Sequence, residues 1–206
     1  MIYDYDIVIG FEQSLLDRDH DDYFFQTNVP YDESKDPPRF GKPASKSGPG
    51  PDIKNNLITV EFRDAPLEVV LNDIVKQMKN YDWEIRDDVV NIFPIRGRDP
   101  KLVEALALKV HDFQAAQGIE VFAINGLLLS IPEFKDYLAK NDIHGQSSFP
   151  FPWFRRRPLP QEMRFSNLTL RQLLNEIAKA KGGGWNIRLF TSIENGQNKE
   201  HINLRI

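Results

Sequence analysis

LITVEFRDAPLEVVLNDIVKQMKNYDWEIRDDVVNIFP, residues 57–94, reads as a strand, a helix and two more strands. Ile58, Val60 and Phe62 alternate with polar residues, the period of a half-buried strand. Asp64 is placed to cap a helix, and Pro66 suits its first turn. Leu67, Val70, Leu71, Ile74, Val75 and Met78 then fall on one helix face. Trp83 and Ile85 alternate in a second strand, Asp87-Asp88 makes a tight turn, and Val89 to Phe93 form a third strand ended by Pro94.

The same order recurs in residues 161–206, QEMRFSNLTLRQLLNEIAKAKGGGWNIRLFTSIENGQNKEHINLRI. Phe62, Leu67, Leu71, Asn72, Ile74 and Lys76 match Phe165, Leu170, Leu174, Asn175, Ile177 and Lys179. Trp83, Ile85 and Arg86 match Trp185, Ile187 and Arg188, and Asn91 matches Asn203. Those are ten identities, where unrelated stretches of average composition give roughly two. Met163 and Phe165 read as the strand, Asn167 as the cap, and Gly182-Gly183-Gly184 as the helix stop. Asn195-Gly196 marks the hairpin turn. The expected class is α+β: two βαββ modules with a helical connector, and antiparallel or mixed sheets packed on helices. One such unit buries too little surface to stand alone. The two are therefore expected to share a core with the middle segment, with Trp83 and Trp185 as anchors.

Residues 57–94 resemble the STN-type domain, the short N-terminal signalling domain of secretins and TonB-dependent receptors. Val60, Phe62, Pro66, Leu67, Leu71, Ile74, Trp83, Val90, Asn91, Ile92 and Pro94 carry the resemblance. Residues 163–206 resemble it more weakly, and the segment 96–161 departs from the family as a long insert. The resemblance implies an extracytoplasmic module that acts by protein–protein contact and is not an enzyme. A periplasmic location and an envelope protein as partner are the expectations that follow.

Around these stretches the chain divides into an acidic N-terminal segment (1–26), a Pro/Gly-rich linker or loop (27–56), the first module (57–95), a mostly helical connector (96–161) and the second module (162–206). Within the connector, Leu102, Val103, Leu106, Val110 and Phe113 suggest a helix from Lys101 to about Gln114. The stretch 119–129 is ambiguous between helix and strand, and Ser130 with Pro132 and Glu133 marks another helix start. Tyr5, Ile7, Ile9 and Phe11 alternate as a strand near the N-terminus.

Composition excludes several chemistries. The 206 residues carry a net charge of −4 and no cysteine. A disulfide framework, a zinc ribbon, an iron–sulfur site and a thiol nucleophile are therefore ruled out. No apolar run reaches the roughly 20 residues of a membrane span. The N-terminal MIYDYDIVIGFE lacks the three regions of an intact signal peptide, which leaves a cytoplasmic protein or a processed or truncated one. Asp17, Asp19, Asp21 and Asp22 begin like a calcium loop, but positions six and twelve do not fit. The four histidines are dispersed, and no phosphate-binding or nucleophile-elbow motif occurs. No metal or cofactor is expected.

Charge is uneven. Residues 1–26 hold seven acids against Arg18, and residues 145–171 hold five arginines against Glu162. These two segments are expected to lie near each other. The most distinctive stretch is Phe149, Phe151, Trp153 and Phe154 among prolines, followed by Arg155, Arg156 and Arg157. Three uses compete for it: covering the core, anchoring a protein partner, or stacking on single-stranded nucleic acid. The net charge and the acidic head count against the last. The expected function is thus a non-catalytic envelope interaction protein. A single-stranded nucleic-acid binder and an unrecognised hydrolase or small-ligand binder are the alternatives.

Overall fold

The computed structural model describes residues 8–13, 24–27, 57–60, 65–147, 158–194 and 196–206. Strands β1 (Ile9–Glu12) and β2 (Phe24–Thr27) come first. The first quoted stretch supplies β3 (Leu57–Val60), α1 (Leu67–Met78), β4 (Tyr81–Arg86) and β5 (Val89–Pro94). Then come α2 (Pro100–Ala107), β6 (Lys109–Ala115), α3 (Val121–Leu129), α4 (Pro132–Lys140) and β7 (Ile143–Ser147). The second stretch supplies β8 (Met163–Thr169), α5 (Leu170–Lys181), β9 (Gly184–Glu194) and β10 (Gln197–Arg205). The protein is α+β, with mixed and antiparallel sheets packed on helices.

Six strands form the main sheet in the order β4-β5-β1-β9-β10-β7. The β4/β5 and β9/β10 hairpins are antiparallel, and β1 lies between them, parallel to both β5 and β9. Asp87 and Asp88 both adopt left-handed backbone, φ 53° and 58°, as a two-residue hairpin turn with the twist of its strands requires. Among the described residues two smaller pairings occur, β2 with β3 in parallel and β6 with β8 antiparallel.

Alternation along β1 and β5 splits the apolar residues between two cores. Ile9, Phe11, Val90 and Ile92 pack with Leu71, Ile74 and Met78 of α1 on one face. Val8 and Val89 point the other way, into a larger cluster with Leu170, Leu174 and Ile177 of α5, and with Phe134 and Leu138 of α4. The middle segment and the second stretch therefore share one core, and α1 covers the opposite face of the sheet.

Trp83 and Trp185 are held alike. Trp83 Nε1 donates to Asn72 Oδ1 at 3.0 Å, and Trp185 Nε1 donates to Asn175 Oδ1 at 2.7 Å. The first bond is exposed and the second is buried. Trp185 is a core anchor at 3% exposure, whereas Trp83 is only partly buried against the smaller cluster. Glycine is required beside Trp185: a Cβ on Gly10 would meet its ring at 2.4 Å.

Three local expectations are corrected. The helix expected from Lys101 to Gln114 ends at Ala107, and Lys109–Ala115 is strand β6. Asp99 caps that helix by accepting from the Lys101 backbone N–H, and Phe113 pairs across to Phe165 in β8. The spacing of Val110, Phe113 and Ala115 serves either element, and sheet pairing decides between them. Asn167 is not the cap of α5; it lies within β8 at φ 59°. Thr169 is the cap, in a reciprocal capping box with Gln172. Pro66 is itself the N-cap of α1, with no side-chain cap bond, and Asp64 lies outside the described residues. The ambiguous stretch 119–129 resolves as helix α3, and Pro132 opens α4 as expected.

Between α4 and α2, the Tyr137 hydroxyl donates to the Lys101 carbonyl at 2.7 Å and lies 3.3 Å from Glu104 Oε2. Burial, then the Glu104 charge, pushes the phenol up from 10.0 to about 12. The folded state thus keeps a proton that the unfolded chain loses near pH 10. This stabilising term is complete below pH 10 and is lost as the pH rises to about 12. Urea midpoints measured across that window are expected to fall more steeply for the parent chain than for Tyr137→Phe. Parallel slopes would contradict this.

Candidate anion-binding cleft

Glu12 has no exposure at all. It closes β1, next to Gln13, and a buried carboxylate is costly unless it is paired and hydrogen-bonded. Here it is doubly paired. Arg98 reaches it with two bonds, Nε to Oε2 at 2.9 Å and Nη2 to Oε1 at 2.8 Å. Arg171, near the start of α5, donates from Nη2 to Oε1 at 2.5 Å and from Nη1 to Asn91 Oδ1 at 3.2 Å. Asn91 is itself fully buried, and its amide donates to the Val89 carbonyl. The Arg98 guanidinium lies 5.2 Å from the Phe93 ring centre, and that of Arg171 lies 5.8 Å from the ring centre of Trp185. Strands β1 and β5, helix α5 and the turn after β5 thus fix two guanidiniums on one carboxylate.

These guanidiniums line a cleft of about 340 Å³. Helix α2 contributes Val103, Leu106 and Ala107 to the lining, and the β4–β5 turn contributes Arg86 and Asp87. Thr169 and Gln172 also line it, but their capping box occupies the polar groups of that helix start. The Leu170 N–H is bonded to the Leu108 carbonyl. The cationic character of the cleft therefore comes from arginine side chains, not from the end of α5. Of the charged groups that line the cleft or lie buried behind it, Arg86, Arg98 and Arg171 stand against Asp87 and Glu12. Arg86 is half-exposed and pairs with Glu84 at 2.9 Å, a surface contact of small worth.

No known protein family, curated protein or solved structure gives a significant match to this chain.

A second polar cluster lies on the sheet face opposite α5. His201, 2% exposed, has Nε2 at 2.8 Å from Ser192 Oγ and Nδ1 at 2.9 Å from the Gln146 amide. Glu194 Oε1 is 3.3 Å from the same Nε2, and the hydrogen bond from Lys199 holds the Glu194 carboxyl below the usual range. The serine–histidine distance suits a nucleophile and base. Ser192, however, sits inside β9 opposite Lys199, away from the cleft. The cleft lining contains no histidine, and its one hydroxyl, Thr169, is engaged in the cap. Among the described residues no group of three or more metal-ligating side chains forms a site.

Phe149, Phe151, Trp153, Phe154, Arg155, Arg156 and Arg157, expected as the partner-binding segment, lie outside the described residues. So does the aspartate run 17–22. Of the acidic head and the basic segment expected to lie near each other, one described pair is in contact, Glu12 with Arg171, while the other acids of the head and Arg155, Arg156 and Arg157 lie outside the described residues. Arg98 was not legible as a site residue. The available signal was Arg171 with Asn175 four residues on, both beside the apolar stripe of α5 and both needing partners once buried.

Proposed function

We propose that this chain is a non-catalytic interaction protein of the bacterial cell envelope. Two copies of one STN-like βαββ unit flank a cleft that receives an acidic group of a protein partner. The observation that carries this reading is Glu12: a carboxylate without exposure holds two guanidiniums at an open cleft. Fixed charge in a lining with no histidine, and with its one hydroxyl, Thr169, engaged in the capping box, favours binding over turnover. Treating the two units as copies of one module is supported by their shared clasp, Asn72 with Trp83 and Asn175 with Trp185, at matched positions. The envelope location rests on the resemblance of residues 57–94. No helix among the described residues is long and apolar enough to cross a membrane.

The test combines location with contact. A tagged chain in its source cell is expected in the envelope fraction. A photocrosslinker at Val103 in the cleft is expected to trap one discrete protein, with the same crosslinker at exposed Ile193 as the remote control. Recovery in the cytosol would sink the envelope reading. Equal yields from both positions would sink the cleft as the contact.

A further inference from the structure

We infer that the cleft recognises the C-terminal carboxylate of a polypeptide that ends in an aliphatic residue. This rests on the reading that the cleft receives a protein partner, and it names the chemistry of the contact. Three features converge on it. The first is donor supply. A guanidinium carries five N–H donors. Arg98 spends two on Glu12, and Arg171 spends one on Glu12 and one on Asn91. Both keep donors in a geometry that Glu12 and the neighbouring rings have already fixed, and such a fork suits a carboxylate.

The second feature is the charge balance. Arg86, Arg98 and Arg171 against Asp87 and Glu12 leave the cleft an excess of one positive charge, which matches a singly charged carboxylate better than a dianion. The third is the apolar lining. Val103, 39% exposed, lies beside Leu106 and Ala107 in the same cleft. A ligand that satisfies both parts must carry a carboxylate and an aliphatic group close together. A terminal leucine, isoleucine or valine carries both on one Cα, whereas an internal Asp or Glu carries only the charge. The volume, about 340 Å³, is at the low end of ordinary ligand sites, roughly 300–1,000 Å³. A terminal residue fits such a space and a folded element does not, since a helix with side chains is about 10–12 Å across. Capture of a chain terminus is a known mode of peptide recognition.

The test is titration calorimetry on the full chain with five probes: N-acetyl-Ala-Ala-Leu, its C-terminal amide, N-acetyl-Ala-Ala-Gly, 4-methylpentanoate and inorganic phosphate. The free-acid leucine peptide is expected to bind saturably. The amide and the glycine peptide are each expected to bind about tenfold more weakly, a step of about 1.4 kcal/mol. Val103→Asp, at an exposed position where folding is not at stake, is expected to weaken the leucine peptide about tenfold. Arg86→Gln at the rim is expected to change it less. Equal binding of acid and amide, or phosphate as tight as the peptide, would overturn the carboxylate. Equal binding of 4-methylpentanoate and the peptide would overturn the polypeptide source. No saturable binding of the peptide would overturn the inference, while the crosslinking at Val103 would still stand or fall independently.

Discussion

Arg171→Leu is expected to destabilise the fold by about 3–5 kcal/mol, the cost of breaking one partner out of a buried ion pair. Glu12 has no exposure, and Arg171 donates to it from a side chain that is only 8% exposed. Without it, Glu12 keeps only Arg98, which comes from the turn after β5 and is one-third exposed. Asn91 Oδ1 also loses its donor inside the core, which adds the penalty of an orphaned acceptor, about 1–3 kcal/mol. The two costs overlap and are not additive. The discriminating variant is the double replacement Glu12→Leu with Arg171→Leu. It removes both buried charges, and apolar substitution of a buried pair is often close to neutral. The double variant is therefore expected to regain most of the loss, giving a strong positive coupling in a double-mutant cycle. Urea unfolding of the four proteins measures it. A single variant within about 0.5 kcal/mol of the parent, the range of an ordinary surface change, would show that the network holds nothing together.

Gly184→Ala is the second large effect, and its origin is steric. Gly184 pairs with Ile9 where β9 meets β1. A Cβ there would lie 2.3 Å from the Ile9 carbonyl oxygen and 3.3 Å from its carbon. Backbone cannot rotate out of the way as a flexible side chain can. β1 is also bonded to β5 on its other edge, so moving it disturbs two ladders at once. The expected loss is about 3 kcal/mol, the upper end of overpacking costs. Gly126→Ala is the matched control. Gly126 lies in α3 with open space around its Cα, and the same substitution in a helix interior gains about 0.5–1 kcal/mol. Thermal melts should move in opposite directions. A Gly184→Ala protein that melts with the parent would mean that β1 and β9 are not in this register.

Where short-range chemistry decides structure, the sequence was readable. The Asp87-Asp88 turn, the glycine stop after α5 and the apolar stripe of α1 each follow from local geometry. Where long-range pairing decides, it was not. Residues 109–115 had apolar spacing compatible with a helix, and only β8 across from them makes them a strand. Asn167 and Thr169 are both good caps by composition. The answer depended on how far β8 runs before α5 begins. The cleft was the least readable feature. Glu12 and Arg171 stood among the charges of two distant segments, and nothing local marks a glutamate as buried. Its burial comes from β1 entering the middle of the sheet, a placement that a four-residue strand cannot announce.

That placement also governs the order of assembly. β1 is made well before β9, yet one of its two slots is built by β9, about 175 residues further along, where Ile9 pairs with Gly184. Pairings between residues so far apart carry a high closure cost and fold late. Until β9 has been made, β1 can pair only with β5 and keeps an open edge. The nascent protein therefore carries an unpaired parallel strand edge until β9 has been made. The sheet closes only when β9 and β10 arrive, so a segment made late completes the seat of one made early.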